Sequence, residues 1–245
     1  SIVIDKLEDF KIKDVYKNGK LYIRENDKKE SFPDYVYNTV KCTKATLDDF
    51  ELKTNKKDSV DCNVIQISKD STFTKRVVRN LPVVDGKINW EDSGLSLLVV
   101  YERYKKTGNK SYALVEGTIN KKGAIATTWA HDHHNLMVIG TSKNDMLLAQ
   151  NSIIDMQGGY IVCEDKRIRA KAILNVGGII NDGDINELSK NIKDVRKAMK
   201  NLGYEHINEI MSFSTLSLPV SPEIKITDKG ILDTRAQKFI NIEVK

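Results

Sequence analysis

Gly123-Ala124-Ile125-Ala126-Thr127-Thr128-Trp129, Ala130-His131-Asp132-His133-His134-Asn135 and Leu136-Met137-Val138-Ile139 follow one another without a break. The outer two pieces are apolar and β-favouring, and no helical pattern separates them, so strand follows strand across a polar connection. A helix is predicted next, over residues 142–156. Asp145 stands three positions after Ser142, Met146, Ala149, Ile153 and Met156 share a face, and Gly158-Gly159 ends the helix. Segments 160–163 and 170–174 then flank Glu164-Asp165-Lys166 as the arms of a hairpin. Asp184-Ile185-Asn186-Glu187 opens a second helix as a variant capping box. Ile185, Leu188, Ile192, Val195, Met199 and Leu202 recur three and four residues apart on it, up to Gly203.

Upstream, segments 36–40, 64–67, 77–78, 95–101 and 112–115 are rich in Val, Ile and Tyr and read as strands. Many strands, few helices and no regular βα alternation give an α+β fold, a mixed β-sheet flanked by helices. A TIM barrel, with eight alternating units over about 250 residues, is excluded. At the start of the chain, segment 2–4 and a strand from Val15 onward precede Lys17-Asn18-Gly19-Lys20, whose Asn-Gly pair suits a tight hairpin. The polar run 24–31 is the best linker, which places a boundary near residue 30 and domains at 1–30 and 31–245.

The 245 residues are 40% hydrophobic and 30% charged, enough for one sizeable core or two smaller ones and incompatible with a disordered chain. The net charge of +5 is scattered among acids rather than gathered in a stripe, so no nucleic acid partner is expected. No apolar run approaches the roughly 18 residues that span a bilayer, and no membrane association is expected. Three cysteines, Cys42, Cys62 and Cys163, form no C-x-x-C pair and fit a reducing cytoplasm. The chain begins at Ser1 and enters Ile2-Val3-Ile4 without a polar leader, as a piece of a longer protein would.

The chemically densest stretch is 131–135, with three of the four histidines within four positions at the end of a strand. Imidazoles bind metals or move protons near neutral pH, and Asp132 could orient one of them. The same residue types also make turn and cap hydrogen bonds, and composition does not separate the two readings. A continuing pleat would put His131 and His133 on one face, and a tight turn would change that pairing. Glu102-Arg103 closes the apolar strand 95–101 as a possible site pair or a solvated strand end. Gly158-Gly159 and Gly177-Gly178 lack phosphate-loop spacing and suit caps or turns. The H-x-E and P-C-x-x-C pattern of zinc base deaminases is missing.

Gly123-Ala124-Ile125-Ala126 leading to His131-Asp132-His133-His134-Asn135, Gly140-Thr141 with Asp145-Met146, and Met156-Gln157-Gly158-Gly159 are three parts of a longer pattern. With Thr215-Leu216-Ser217-Leu218-Pro219-Val220-Ser221-Pro222-Glu223 and Thr227-Asp228-Lys229-Gly230, it resembles the C-terminal region of the bacterial and archaeal adenine deaminase family of the amidohydrolase superfamily. The first segment, from Ile2-Val3-Ile4 to Asn18-Gly19-Lys20-Leu21, is similar to the strands that complete a small β-sandwich after the barrel in that superfamily. Two departures stand out: His133 replaces the family's usual serine, and Arg103-Tyr104 stands where an Arg-His pair is usual.

The resemblance implies that the intact enzyme is a cytoplasmic purine-salvage hydrolase converting adenine to hypoxanthine and ammonia. A manganese or iron centre would be held by an N-terminal barrel that these residues lack, so no metal ligand is expected here and the chain alone would be inactive. It also implies His131, Asp132 and His134 as catalytic candidates, Asn135, Glu102 and Arg103 as substrate-binding candidates, and adenine, the barrel and further copies of the chain as partners. Two other readings stay open: a noncatalytic structural or oligomerisation module, and a metal site made by the histidine cluster itself.

Overall fold

Asn18 and Gly19 both adopt positive φ, +52° and +73°, the backbone a two-residue hairpin turn needs when it joins right-twisted strands. They connect β2 (Ile12–Lys17) to β3 (Lys20–Leu21), and β1 (Ile2–Ile4) pairs with the other edge of β2 in a three-stranded antiparallel sheet. The computed structural model describes residues 1–23 and 32–244, in two compact units, Ser1–Phe32 and Pro33–Lys245. The polar linker at 24–31 and the boundary near residue 30 lie outside the described residues.

In the second unit, β4 (Ser59–Ile67), β5 (Thr74–Val84), β6 (Lys87–Ile88), β7 (Ser96–Tyr101), β8 (Lys110–Glu116), β9 (Ala124–Thr127) and β10 (Leu136–Gly140) come first. Then follow α1 (Lys143–Asp155), β11 (Gly159–Glu164), β12 (Arg167–Ile173), α2 (Ile185–Asn201) and α3 (Glu209–Ser214), and finally β13 (Ile224–Thr227), β14 (Gly230–Asp233) and β15 (Lys238–Ile240). Nine strands form one open sheet in the order β12-β11-β9-β10-β7-β8-β4-β5-β6. Its pairs are antiparallel except β4 with β8, which is parallel, so the sheet is mixed. The last three strands make a small antiparallel sheet of their own.

β7, β9 and β10 are buried at every position because both faces of the sheet are covered. In β7, Leu97, Val99 and Tyr101 join one core with Met146, Ala149 and Ile153 of α1, whereas Leu98 and Val100 join the other with Val195 and Met199 of α2 and Ile226 of β13. α1 starts at Ser142, whose Oγ accepts the Asp145 N–H at 3.4 Å. It lies so close to the sheet that a Cβ on Gly140 would fall 2.5 Å from Met146 Cγ. α2 starts at Asp184, whose carboxylate accepts from Asn186 and Glu187, and it ends before Gly203 at φ +88°.

Two differences from the sequence-based expectation have local causes. Residues 36–40 do not form a strand. Pro33 precedes a single 3-10 turn, Asp34–Tyr37, and the chain then runs irregularly past the sheet. β9 stops at Thr127 rather than Trp129. The Thr127 hydroxyl accepts the Trp129 N–H at 2.9 Å, and Thr128 Oγ1 donates to the Gly178 carbonyl at 2.6 Å, which turns the backbone out of the ladder.

Candidate functional site

Because β9 ends early and β10 starts at Leu136, residues 128–135 form a connection at one end of the sheet, beside the end of β7, where Tyr101 pairs with Leu136. A tight turn replaces the continued pleat: the His134 N–H donates to the Ala130 carbonyl at 2.7 Å, and His134 takes φ +50°. The α3 region clamps this turn. The His131 N–H donates to the Ser214 carbonyl at 3.1 Å, and Ser217 Oγ donates to the His131 carbonyl at 2.8 Å. The His131 ring stands edge-on to Trp129 with centroids 5.6 Å apart, while Asp132 is exposed.

Asn135 is the buried hub. Its side-chain carbonyl accepts the Arg103 N–H at 3.3 Å, its amide Nδ2 donates to Asp228 at 3.2 Å, and its own N–H donates to Nδ1 of His133 at 2.9 Å. An imidazole that accepts at Nδ1 in its neutral form carries its hydrogen on Nε2. Here that Nε2 is buried with no hydrogen-bond partner. Burial drives the His133 pKa down to about 4, against the pull of the Asp228 carboxylate. Burial also lowers the pKa of His134, assisted by the Arg103 charge. Near neutral pH both rings are therefore uncharged.

Arg103, only 2% exposed, supports the turn from below. Its guanidinium donates to Thr39 Oγ1 at 3.1 Å, to the Tyr104 hydroxyl at 3.2 Å and to the Gly177 carbonyl at 2.8 Å, and Tyr104 in turn donates to the His133 carbonyl at 3.0 Å. The two departures from the family pattern thus meet in one hydrogen-bond chain. Gly177-Gly178 exists to admit Arg103: a Cβ on Gly178, at φ +74°, would sit 1.9 Å from the Arg103 Nη1.

Glu102 faces a different task. Its carboxylate accepts from the N–H groups of Tyr104, Lys106, Thr107 and Gly108 at 2.8–3.2 Å, closing the turn after β7. Burial raises its pKa, and the four donors outweigh burial to hold it below the ordinary carboxylate value.

Of the sequence candidates, then, the fold brings Arg103, His131, His134 and Asn135 together, leaves Asp132 at the surface and ties Glu102 into its own turn. His133, Tyr104 and Asp228 belong to the same network. Asp228 is 93 residues from Asn135; it stood in the Thr227–Gly230 part of the family pattern, but nothing in the sequence tied it to the histidine turn. Among the described residues no three His, Cys, Asp or Glu side chains gather in a set able to hold a metal ion. With His133 Nδ1 already engaged, the histidine turn does not fit a metal centre.

The segments that meet here, 131–135, 215–223 and 227–230, all fall inside residues 71–238, which match the family model for the adenine deaminase C-terminal domain. The chain belongs to that family. It is 46% identical to an adenine deaminase of Clostridium perfringens over 98% of its own length and 44% of that protein. It is 48% identical to adenine deaminase 2 of Oenococcus oeni, over 98% of the chain and 42% of the relative. With an adenine deaminase of Kosmotoga olearia the identity is 32%, over 98% and 42%. The chain thus spans less than half the length of the curated relatives it matches. Within the adenine deaminase C-terminal domain, the matched span holds both helical layers and most of the main sheet, whereas Thr39, which anchors Arg103, lies outside it.

Proposed function

We propose that this chain works as the C-terminal part of an adenine deaminase, converting adenine to hypoxanthine and ammonia together with a barrel domain outside these residues. The manganese or iron of that chemistry would sit in the barrel. The observation that carries this reading is the 46% identity to the Clostridium perfringens adenine deaminase across 98% of the chain. The site adds physical support. A turn with an uncharged, half-buried His134 offers a hydrogen-bond donor and acceptor to a neutral, nitrogen-rich base without adding positive charge at the surface. His131, Asp132 and His134 would face substrate or brace the closed site, Asn135 and Arg103 would hold that turn in place, and the whole turn would exclude bulk water from the reaction. Cytoplasmic purine salvage and assembly into a homo-oligomer complete the proposal.

A purely structural or oligomer-forming role is the second reading. It draws on the clamping of the His131 backbone by Ser214 and Ser217. His131→Ala and His134→Ala, made separately in the complete enzyme, separate the two readings. The proposal expects adenine turnover to fall about tenfold or more with unchanged oligomer size. Normal turnover and normal metal content with an altered oligomer size would overturn it in favour of the second reading.

A further inference from the structure

β5 lies next to one end of the large sheet, and most of its outer edge is open. It pairs with β4 along residues 74–82, whereas β6 covers only Val83 and Val84 on the other side. We propose that this open edge is where a second copy of the chain docks, the two β5 strands running antiparallel about a two-fold axis at Val78. β7, β8 and β4 separate it from β10 and the histidine turn, so docking there is independent of the reaction proposed above.

The direction of each backbone group follows from the alternation of an antiparallel ladder. The Val83 N–H donates to the Asp58 carbonyl at 2.9 Å, on the β4 side, so Leu81, Arg79, Val77 and Lys75 face β4 as well. Arg76, Val78 and Asn80 therefore turn their N–H and carbonyl groups outward. Both ends of this stretch are closed. The Thr74 N–H donates to the Pro222 carbonyl at 3.2 Å, the Thr74 carbonyl accepts from Glu223 at 3.1 Å, and the Pro82 carbonyl accepts from Asn89 at 2.9 Å. Between them, the outward groups have one partner among the described residues, the exposed Arg79 guanidinium that donates to the Val78 carbonyl at 3.0 Å. Such a row of free strand donors and acceptors is a template for another strand.

A second copy fits the row because the row is its own complement. With Val78 opposite Val78, Arg76 meets Asn80 of the other copy and Asn80 meets its Arg76, so all the outward groups find partners. A shift either way would leave one of them opposite the engaged Thr74 or Pro82. Charge agrees with this register. Arg76 uses only Nε, on the Asn63 side chain at 2.8 Å, and has no ion pair, while the Asn80 amide it would face holds the exposed carboxylate of Asp61 at 2.8 Å. No like charges stand opposite each other, since Lys75 meets Leu81 and Arg79 meets Val77. Val78, 46% exposed, gains apolar cover from its counterpart at the axis. Pairing uses up this edge in both chains, so association closes at a dimer.

Sedimentation of the 245-residue chain over a concentration series, with hydrogen exchange of its amides, provides the test. A monomer–dimer equilibrium with Kd on the order of micromolar is expected, as a small interface gives, with slower exchange at Arg76, Val78 and Asn80 as the dimer forms. Val78→Lys sets two ammonium groups together at the axis and alters only an exposed side chain. Val78→Pro removes the central N–H at an edge position where a strand tolerates proline. Each is expected to weaken association at least about tenfold with the melting temperature of the dilute chain unchanged, and Val78→Ile to leave association intact. If Val78→Pro unfolds, Val78→Lys alone decides. The proposal is overturned by a chain that stays monomeric up to about 100 μM, by a dimer that Val78→Lys leaves unchanged, or by dimer protection confined to amides outside β5.

Discussion

Arg103 and Gly178 form the tightest residue-level dependency in the site. A guanidinium that is nearly fully buried is tolerated because three oxygens surround it, and one of them is reachable only because the neighbouring glycine has no side chain. Gly178→Ala places a methyl group against the guanidinium at a backbone angle that favours glycine. It is expected to lower unfolding free energy by about 2 kcal/mol or more, read from the urea midpoint. His133 makes a prediction about pH. Its folded pKa of about 4 lies below the unfolded value of 6.5, so the unfolded chain takes up the proton first as pH falls. The stabilisation it contributes is complete above pH 6.5 and is lost between pH 6.5 and 4, with a slope of up to about 1.4 kcal/mol per pH unit. His133→Asn, which keeps an acceptor for the Asn135 N–H, should flatten melting temperature against pH across that window. A dependence unchanged from the parent chain would show that His133 titrates normally. The cluster at 131–135 was conspicuous in the sequence as a density of imidazoles. Which ring would be buried was not, because it depends on a turn closed by Ala130 and His134 and on Asp228 from a distant hairpin.

α1 and α2 were legible as elements because each carries its signals within its own span. Asp184 caps α2, Gly203 ends it, and the stripe from Leu188 to Met199 faces the sheet, although Ile185 at the head of that stripe is 59% exposed. Replacing Met199 by Ala should therefore cost about 2–5 kcal/mol as a core deletion. Asp184→Ala should cost only about 1 kcal/mol for a lost cap. Equal effects of the two, in denaturant titrations, would mean that α2 is not held by its buried face. α3 and the sheet of β13–β15 were not legible. α3 is six residues long, too short to show a periodic stripe, and it is built from Asn208, whose Oδ1 accepts the Met211 N–H at 3.1 Å. β13 to β15 are three or four residues each and gain their stability from packing against the large sheet rather than from propensity.

At the scale of the molecule, the sequence pointed to a mixed sheet flanked by helices, and the structure has that sheet, with a core on either face of β7. Strand order was beyond the sequence. It rests on the single parallel pairing of β4 with β8, which inserts an early strand pair beyond the later hairpin of β7 and β8. Under the proposed function, the chain is one part of a division of labour. It supplies a rigid polar turn at one end of a buried sheet, and the described residues hold no side-chain set for a metal ion. The most direct measurement is ammonia release from adenine by the purified 245-residue chain, with and without a separately produced barrel domain. The account predicts no release above background from the chain alone and turnover once the barrel is supplied. Conversion at an enzymatic rate by the chain alone would contradict it.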